Sequence, residues 1–124
     1  MAATYYTKDH EWVRMEGDVA IVGISVYAAE QLGDVVYVEL PAVGKTVGEH
    51  GDMAVVESAK AASDVYAPIA GTVTAVNDAL STQPDLVNQG AEGAGWFVKL
   101  KPSDPKAIEA LMDQAAYAQY LKGL

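Results

Sequence analysis

One lysine in this chain is set apart by what surrounds it. In residues 55–73, VVESAKAASDVYAPIAGTV, Lys60 is flanked by Ala59, Ala61 and Ala62 and stands between Ser58 and Ser63, with the carboxylates Glu57 and Asp64 on either side. Solubility is the ordinary use of an exposed turn lysine. Three features argue for more. The neighbours are uniformly small where turn chemistry favours Asn, Asp or Gly; acidic residues bracket the lysine; and an apolar run leads in while a Pro-Ile-Ala-Gly turn leads out. No bulky side chain crowds the stem, so the amine is presented outward for another molecule to use.

The elements that must hold it are readable on both sides. Met53, Ala54, Val55 and Val56 form a β-favouring run that ends at Glu57, and a second run passes through Val65 and Tyr66 to stop at Pro68. Two strands with a tight connection make a hairpin, and Lys60 falls at its turn. Other chemistry is scarce. The chain has no cysteine, which excludes disulfides, thiolate metal sites and a cysteine nucleophile, so redox chemistry must ride on an attached group. His10 and His50 are the only histidines, and neither has a neighbouring Ser or Cys arrangement that reads as a triad or a metal cluster. Trp12, beside His10 and Glu11, reads as the aromatic anchor of a half-buried strand. The glycines near His50 mark loops, because no helix follows and no Lys-Ser or Lys-Thr pair closes a phosphate cradle.

A length of 124 residues suits a single domain over 1–124 with its own core. Seventeen acidic against eight basic residues give a net charge of -9, which speaks against nucleic acid and for partners with basic docking surfaces. No apolar run reaches the roughly 18 residues of a membrane span, and the N-terminus lacks the pattern of a signal or transit peptide, so the expectation is a cytoplasmic protein away from membranes. Strands are expected at 11–14 and 19–24 around a glycine turn, at 34–40 with alternation from Val36 to Leu40, and at 71–77 and 96–101. Between them Ser25 caps a short helix that Gly33 ends. Residues 78–95 read as the longest irregular stretch, and Trp96 as core. Residues 33–57 and 71–101 look like a weak repeat of two half-sheets packed face to face. After about residue 101 the period changes. Ser103 is a cap, Pro105 lies in the first turn, and Ile108, Leu111, Met112, Ala115 and Leu121 recur at helical spacing over about 103–121, as one helix or two broken near Asp113. The fold class is mainly β: a flattened sandwich, or barrel-sandwich hybrid, of two antiparallel sheets with a short internal helix and a C-terminal helix.

The lysine hairpin resembles the prosthetic-group hairpin of lipoyl and biotinyl carrier domains. Its pentad ESAKA is similar to the ESVKA pattern of the glycine cleavage system H protein family, and further segments resemble that family: DHEWVR, LGD, VELP, SDVYAP, LVN, GW and KPSDP. Ala59 stands where the family usually has valine, and Gln31 where some members have histidine. The resemblance implies a carrier that is not itself an enzyme and acts as a monomer, with lipoate amide-linked to Lys60. It implies service to three enzymes: a pyridoxal-phosphate glycine decarboxylase that loads an aminomethyl group, a tetrahydrofolate-dependent aminomethyltransferase that removes it, and a flavin dihydrolipoyl dehydrogenase. A lipoate ligase or lipoyl transferase would install the arm, with Glu57 and Ala59 as recognition residues. The loaded arm would fold back onto the body, where its ammonium needs carboxylates and its chain an apolar groove; Glu11 and Asp64 would supply the pairing, with Gln31 as a neutral neighbour. Two alternatives are an H-like lipoyl carrier for lipoyl relay or sulfur oxidation, and an interaction module whose Lys60 stays unmodified.

Overall fold

A computed structural model describes residues 4–123. The chain runs β1 (Thr4–Tyr6), β2 (Glu11–Glu16), β3 (Val19–Ile24), α1 (Val26–Leu32), β4 (Val35–Glu39), β5 (Thr46–Val47), β6 (Asp52–Ser58), β7 (Ala62–Tyr66), β8 (Gly71–Val76), α2 (Ala79–Thr82), α3 (Leu86–Gly90), β9 (Val98–Pro102), a 3-10 helix (Pro105–Ala110) and α4 (Gln114–Lys122). Six strands make one sheet in the order β1-β2-β3-β9-β8-β5, and three make the other in the order β4-β6-β7. Every pairing is antiparallel. Apolar side chains of the large sheet (Val13, Val22, Val98, Leu100) and of the small one (Val38, Met53, Val56, Val65) bury into a single core, the arrangement of a sandwich rather than a closed barrel. No helix among the described residues is long and apolar enough to cross a membrane.

Local chemistry explains where the elements begin and end. Glycine at the β2–β3 turn takes a positive φ, at Gly17 (φ 65). Helix α1 starts because Ser25 Oγ accepts the N–H of Ala28, and it stops at Gly33, whose φ of 78° and ψ of -150° suit only glycine. Trp12 is the aromatic anchor of β2 and is wholly buried. Its ring is admitted by Gly23 across the strand pair, where an added Cβ would fall 2.7 Å from Nε1, and that nitrogen donates to the carbonyl of Ala91 at 2.8 Å.

Several expectations are corrected. Strand β4 does not alternate regularly: its pairing with β6 shifts between Val35 and Tyr37, and this bulge turns Val36 and Tyr37 outward together. The two halves are not equivalent half-sheets, because β5 leaves the first half to pair with β8 in the large sheet. Residues 78–95 are not irregular throughout; they hold α2 and α3, which bury Leu80 and Val87. Trp96 is half-buried, packed against the small core cluster of Tyr6, Trp12, Ile21 and Tyr117, while its neighbour Phe97 is wholly buried. Asp104 rather than Ser103 caps the 3-10 helix, its Oδ1 accepting from the N–H of Lys106 at 3.1 Å.

The tail is two helices, and the break lies where Asp113 caps α4 through the N–H of Ala116. Met112 before it is held extended by paired backbone bonds with Tyr6, at 2.7 and 3.0 Å. The helical phase of Ile108 and Leu111 is therefore not carried through, so Ala115 is exposed while Tyr117 is buried against Tyr6.

Candidate functional site

Strands β6 and β7 pair through Val56 with Ser63 and Glu57 with Ala62, leaving Ala59, Lys60 and Ala61 as the connection. Ser58 closes the turn itself. Its N–H donates to the carbonyl of Ala61 at 2.8 Å, and its Oγ accepts from the N–H of Lys60 at 3.2 Å and of Ala61 at 3.1 Å. A serine hydroxyl that accepts from N–H groups two and three residues on builds such a turn from its own side chain. The hairpin tip is seated on the α1–β4 connection, where the N–H of Ala59 donates to the carbonyl of Asp34 at 3.2 Å. Lys60 is exposed, and its stem runs over Gly33: a Cβ there would stand 3.3 Å from Cε and 3.7 Å from Nζ.

Beside this tip opens a groove of about 410 Å³ between α1, the start of β2 and the β6–β7 pair. Ile24, Tyr27, Leu32, Val56 and Val65 give it apolar walls, while Glu11, Gln31 and Asp64 all face into it, joined by Asp9 and His10. Three residues from separate parts of the sequence are thus brought together. Leu32, immediately before Gly33, and Ser63, three residues after Lys60, both border the groove.

Glu11 is no solvated carboxylate; it is 1% exposed. Its Oε1 accepts from the hydroxyl of Thr7 at 2.7 Å and its Oε2 from the N–H of Tyr66 at 3.2 Å. Burial pushes its pKa up to about 7, against the two hydrogen bonds, which favour the ionised form. His10 adopts a positive φ of 70°, and burial lowers its pKa. The hydroxyl of Tyr117 on α4 lies 2.7 Å from His10 Nδ1 and 2.7 Å from Ser25 Oγ, so one phenol joins the groove rim to the cap of α1. Nothing in the sequence pointed to this link, because Tyr117 is 107 residues from His10. Glu57 is half-buried opposite Ala62 and Tyr37, Ala59 is exposed on the turn, and Asp64 is exposed at the groove edge.

An arm tethered at the tip suits this neighbourhood. The walls match an apolar chain, and the carboxylates match a cation at its end. A two-sheet sandwich with a lysine at the tip of a hairpin is the arrangement of lipoyl and biotinyl carrier domains, and it defines the class as a prosthetic-group carrier. More particularly, the chain belongs to the glycine cleavage H-protein family, whose model matches residues 4–124. It is 55% identical over 124 residues, the whole of both chains, to the glycine cleavage system H protein of Beijerinckia indica. Against that of Xanthobacter autotrophicus it is 57% identical over 124 residues, covering 100% of this chain and 99% of the other. The crystal structure of the H protein from Mycobacterium marinum superposes with a TM-score of 0.87 at 38% identity, over 98% of each chain. Proteins of this family carry lipoate covalently on a lysine and serve as the lipoyl carrier of the glycine cleavage system.

Proposed function

We propose that Lys60 is the lipoylated lysine and that the groove lined by Glu11, Gln31 and Asp64 receives the loaded arm. The observation that carries this reading is the adjacency of the two: the Lys60 stem crosses Gly33, and the groove begins at the next residue, Leu32. When bound, lipoate supplies the sulfur chemistry that a chain without cysteine lacks. The chain's own residues hold and shelter. Ser58 fixes the turn from which Lys60 projects; Ile24, Leu32, Val56 and Val65 exclude water; Glu11 and Asp64 pair with an ammonium. Because the Glu11 carboxyl has a pKa of about 7, a cation set against it draws it into the ionised form and releases its proton to solvent. Gln31 offers a neutral amide beside that pair.

The protein is in this reading a carrier without turnover of its own, acting in the cytoplasm as a monomer. It exchanges its arm among glycine decarboxylase, aminomethyltransferase and dihydrolipoyl dehydrogenase, after a lipoate ligase or lipoyl transferase has recognised Glu57 and Ala59 beside the lysine. The test is the lifetime of the carrier after loading by glycine decarboxylase, followed as formaldehyde release. The Glu11→Ala, Asp64→Ala double variant should still be lipoylated and reoxidised, while its loaded form decays toward the rate of a free lipoamide adduct. An unchanged lifetime would overturn the docking.

A further inference from the structure

Asn88 lies on α3 in the stretch that sequence alone left without a role, yet both ends of its amide are committed to the same short loop. Its Nδ2 donates to the carbonyl of Gly33 at 2.6 Å, and its Oδ1 accepts the N–H of Val35 at 2.8 Å. The partners fix the amide's orientation, since a carbonyl can only accept and an N–H can only donate. Between those two points, Asp34 offers its carbonyl to the N–H of Ala59 at the hairpin tip, at 3.2 Å. Gly33 in turn lies under the Lys60 stem, in a backbone conformation open to glycine alone. Four contacts therefore run in one line from α3 through the 33–35 loop to the tip of the hairpin and its lysine.

We propose that Asn88 is a positioning residue for Lys60: by clamping the 33–35 loop it makes a fixed seat for the hairpin tip and lays the lysine stem across Gly33 toward the mouth of the groove. The loop needs such a clamp. Helix α1 ends at Leu32 with Gly33 as its cap, and β4 begins at Val35, in register with Ser58 of β6; the Gly33 carbonyl and the Val35 N–H find their partner in Asn88 rather than in the helix or the strand. A two-ended side chain satisfies both at once and freezes the direction of the step between them. Without it the acceptor of the Ala59 bond would be held only through the Val35–Ser58 register pair and the bond from the Gly33 N–H to Ala29, and the Lys60 stem would have a less fixed surface beneath it. The proposal rests on Lys60 being the arm's attachment point.

The test begins on unlipoylated protein, by amide hydrogen exchange and through-space proton contacts in NMR. In Asn88→Ala the amide of Val35 should exchange about fivefold faster, the effect of losing a hydrogen bond of about 1 kcal/mol, and the amide of Ala59 should exchange faster as its acceptor loosens. The contact between the Lys60 ε-protons and the Gly33 α-protons should fade. Core amides such as Val22 and Leu100 should be unchanged, which controls for folding. In Asn88→Asp the acceptor for Val35 survives and the donor to Gly33 is lost, so Val35 should stay protected while the Lys60 contact still fades. Retention of the Lys60–Gly33 contact and of Ala59 protection in both variants would overturn the seat. Lipoylated Asn88→Ala should then lose its cargo as fast as the Glu11→Ala, Asp64→Ala double variant. If the double variant decays quickly while Asn88→Ala keeps the parent lifetime, the seat does not direct the arm and the proposal fails. If the double variant itself keeps the parent lifetime, it is the groove reading that has failed, and the seat is decided by the NMR contacts alone.

Discussion

Replacing Glu11 by Gln keeps the shape of the side chain and removes its charge, and the consequence should be visible in how stability depends on pH. In the folded protein burial raises the carboxyl from an ordinary 4.5 to about 7. Between those values the native state holds a proton that the unfolded chain has released, so stability falls as pH rises through the window and levels off above it. With about 1.36 kcal/mol for each pH unit of difference, the parent protein should lose about 2.5 kcal/mol on this account between pH 5 and pH 8. The glutamine variant should lose none of it. Its amide matches the Thr7 hydroxyl and the Tyr66 N–H less well than a carboxylate does, but that cost is the same at both pH values and cancels in the comparison. Urea unfolding of both proteins at pH 5 and pH 8 reads the double difference directly. Equal pH dependence in the two would refute the argument, because Glu11 would then ionise in the folded protein as it does in the unfolded chain.

Tyr117→Phe removes the hydroxyl shared by His10 and Ser25; it should lower the unfolding free energy by about 1–2 kcal/mol, measured by denaturant titration, since it strips partners from two groups in one step. With a net charge of -9, encounter with basic enzyme surfaces should weaken with salt, so the Michaelis constant of glycine decarboxylase for this carrier should rise between low and physiological ionic strength. A flat profile would remove electrostatic steering from the account.

What could be read from the sequence was local. Ser25 and Gly33 bound α1 because capping is a matter of neighbouring residues, and the lysine hairpin follows from two short apolar runs and the small residues between them. The site was half legible: Glu11, Gln31 and Asp64 do line one groove, yet that Glu11 is buried under Thr7 and Tyr66 depends on a contact between residues 55 apart. Helices α2 and α3 were invisible because four and five residues are too few to set a period. Asn88 acts through partners 53 and 55 residues away and Tyr117 through one 107 residues away, and no capping or periodic signal marks either role. The unequal sheets escaped for a similar reason, since β5, only two residues long, is fixed by its pairing with β8 and not by its own sequence.

Lys60 is the one lysine proposed to carry the arm. Protein made in cells supplied with lipoate, alongside its Lys60→Arg variant, can be digested and mapped by mass spectrometry. One lipoyl group is expected on the peptide that contains Lys60, and none on any peptide of the variant. A lipoyl group on another lysine, or on the Lys60→Arg protein, would contradict that assignment.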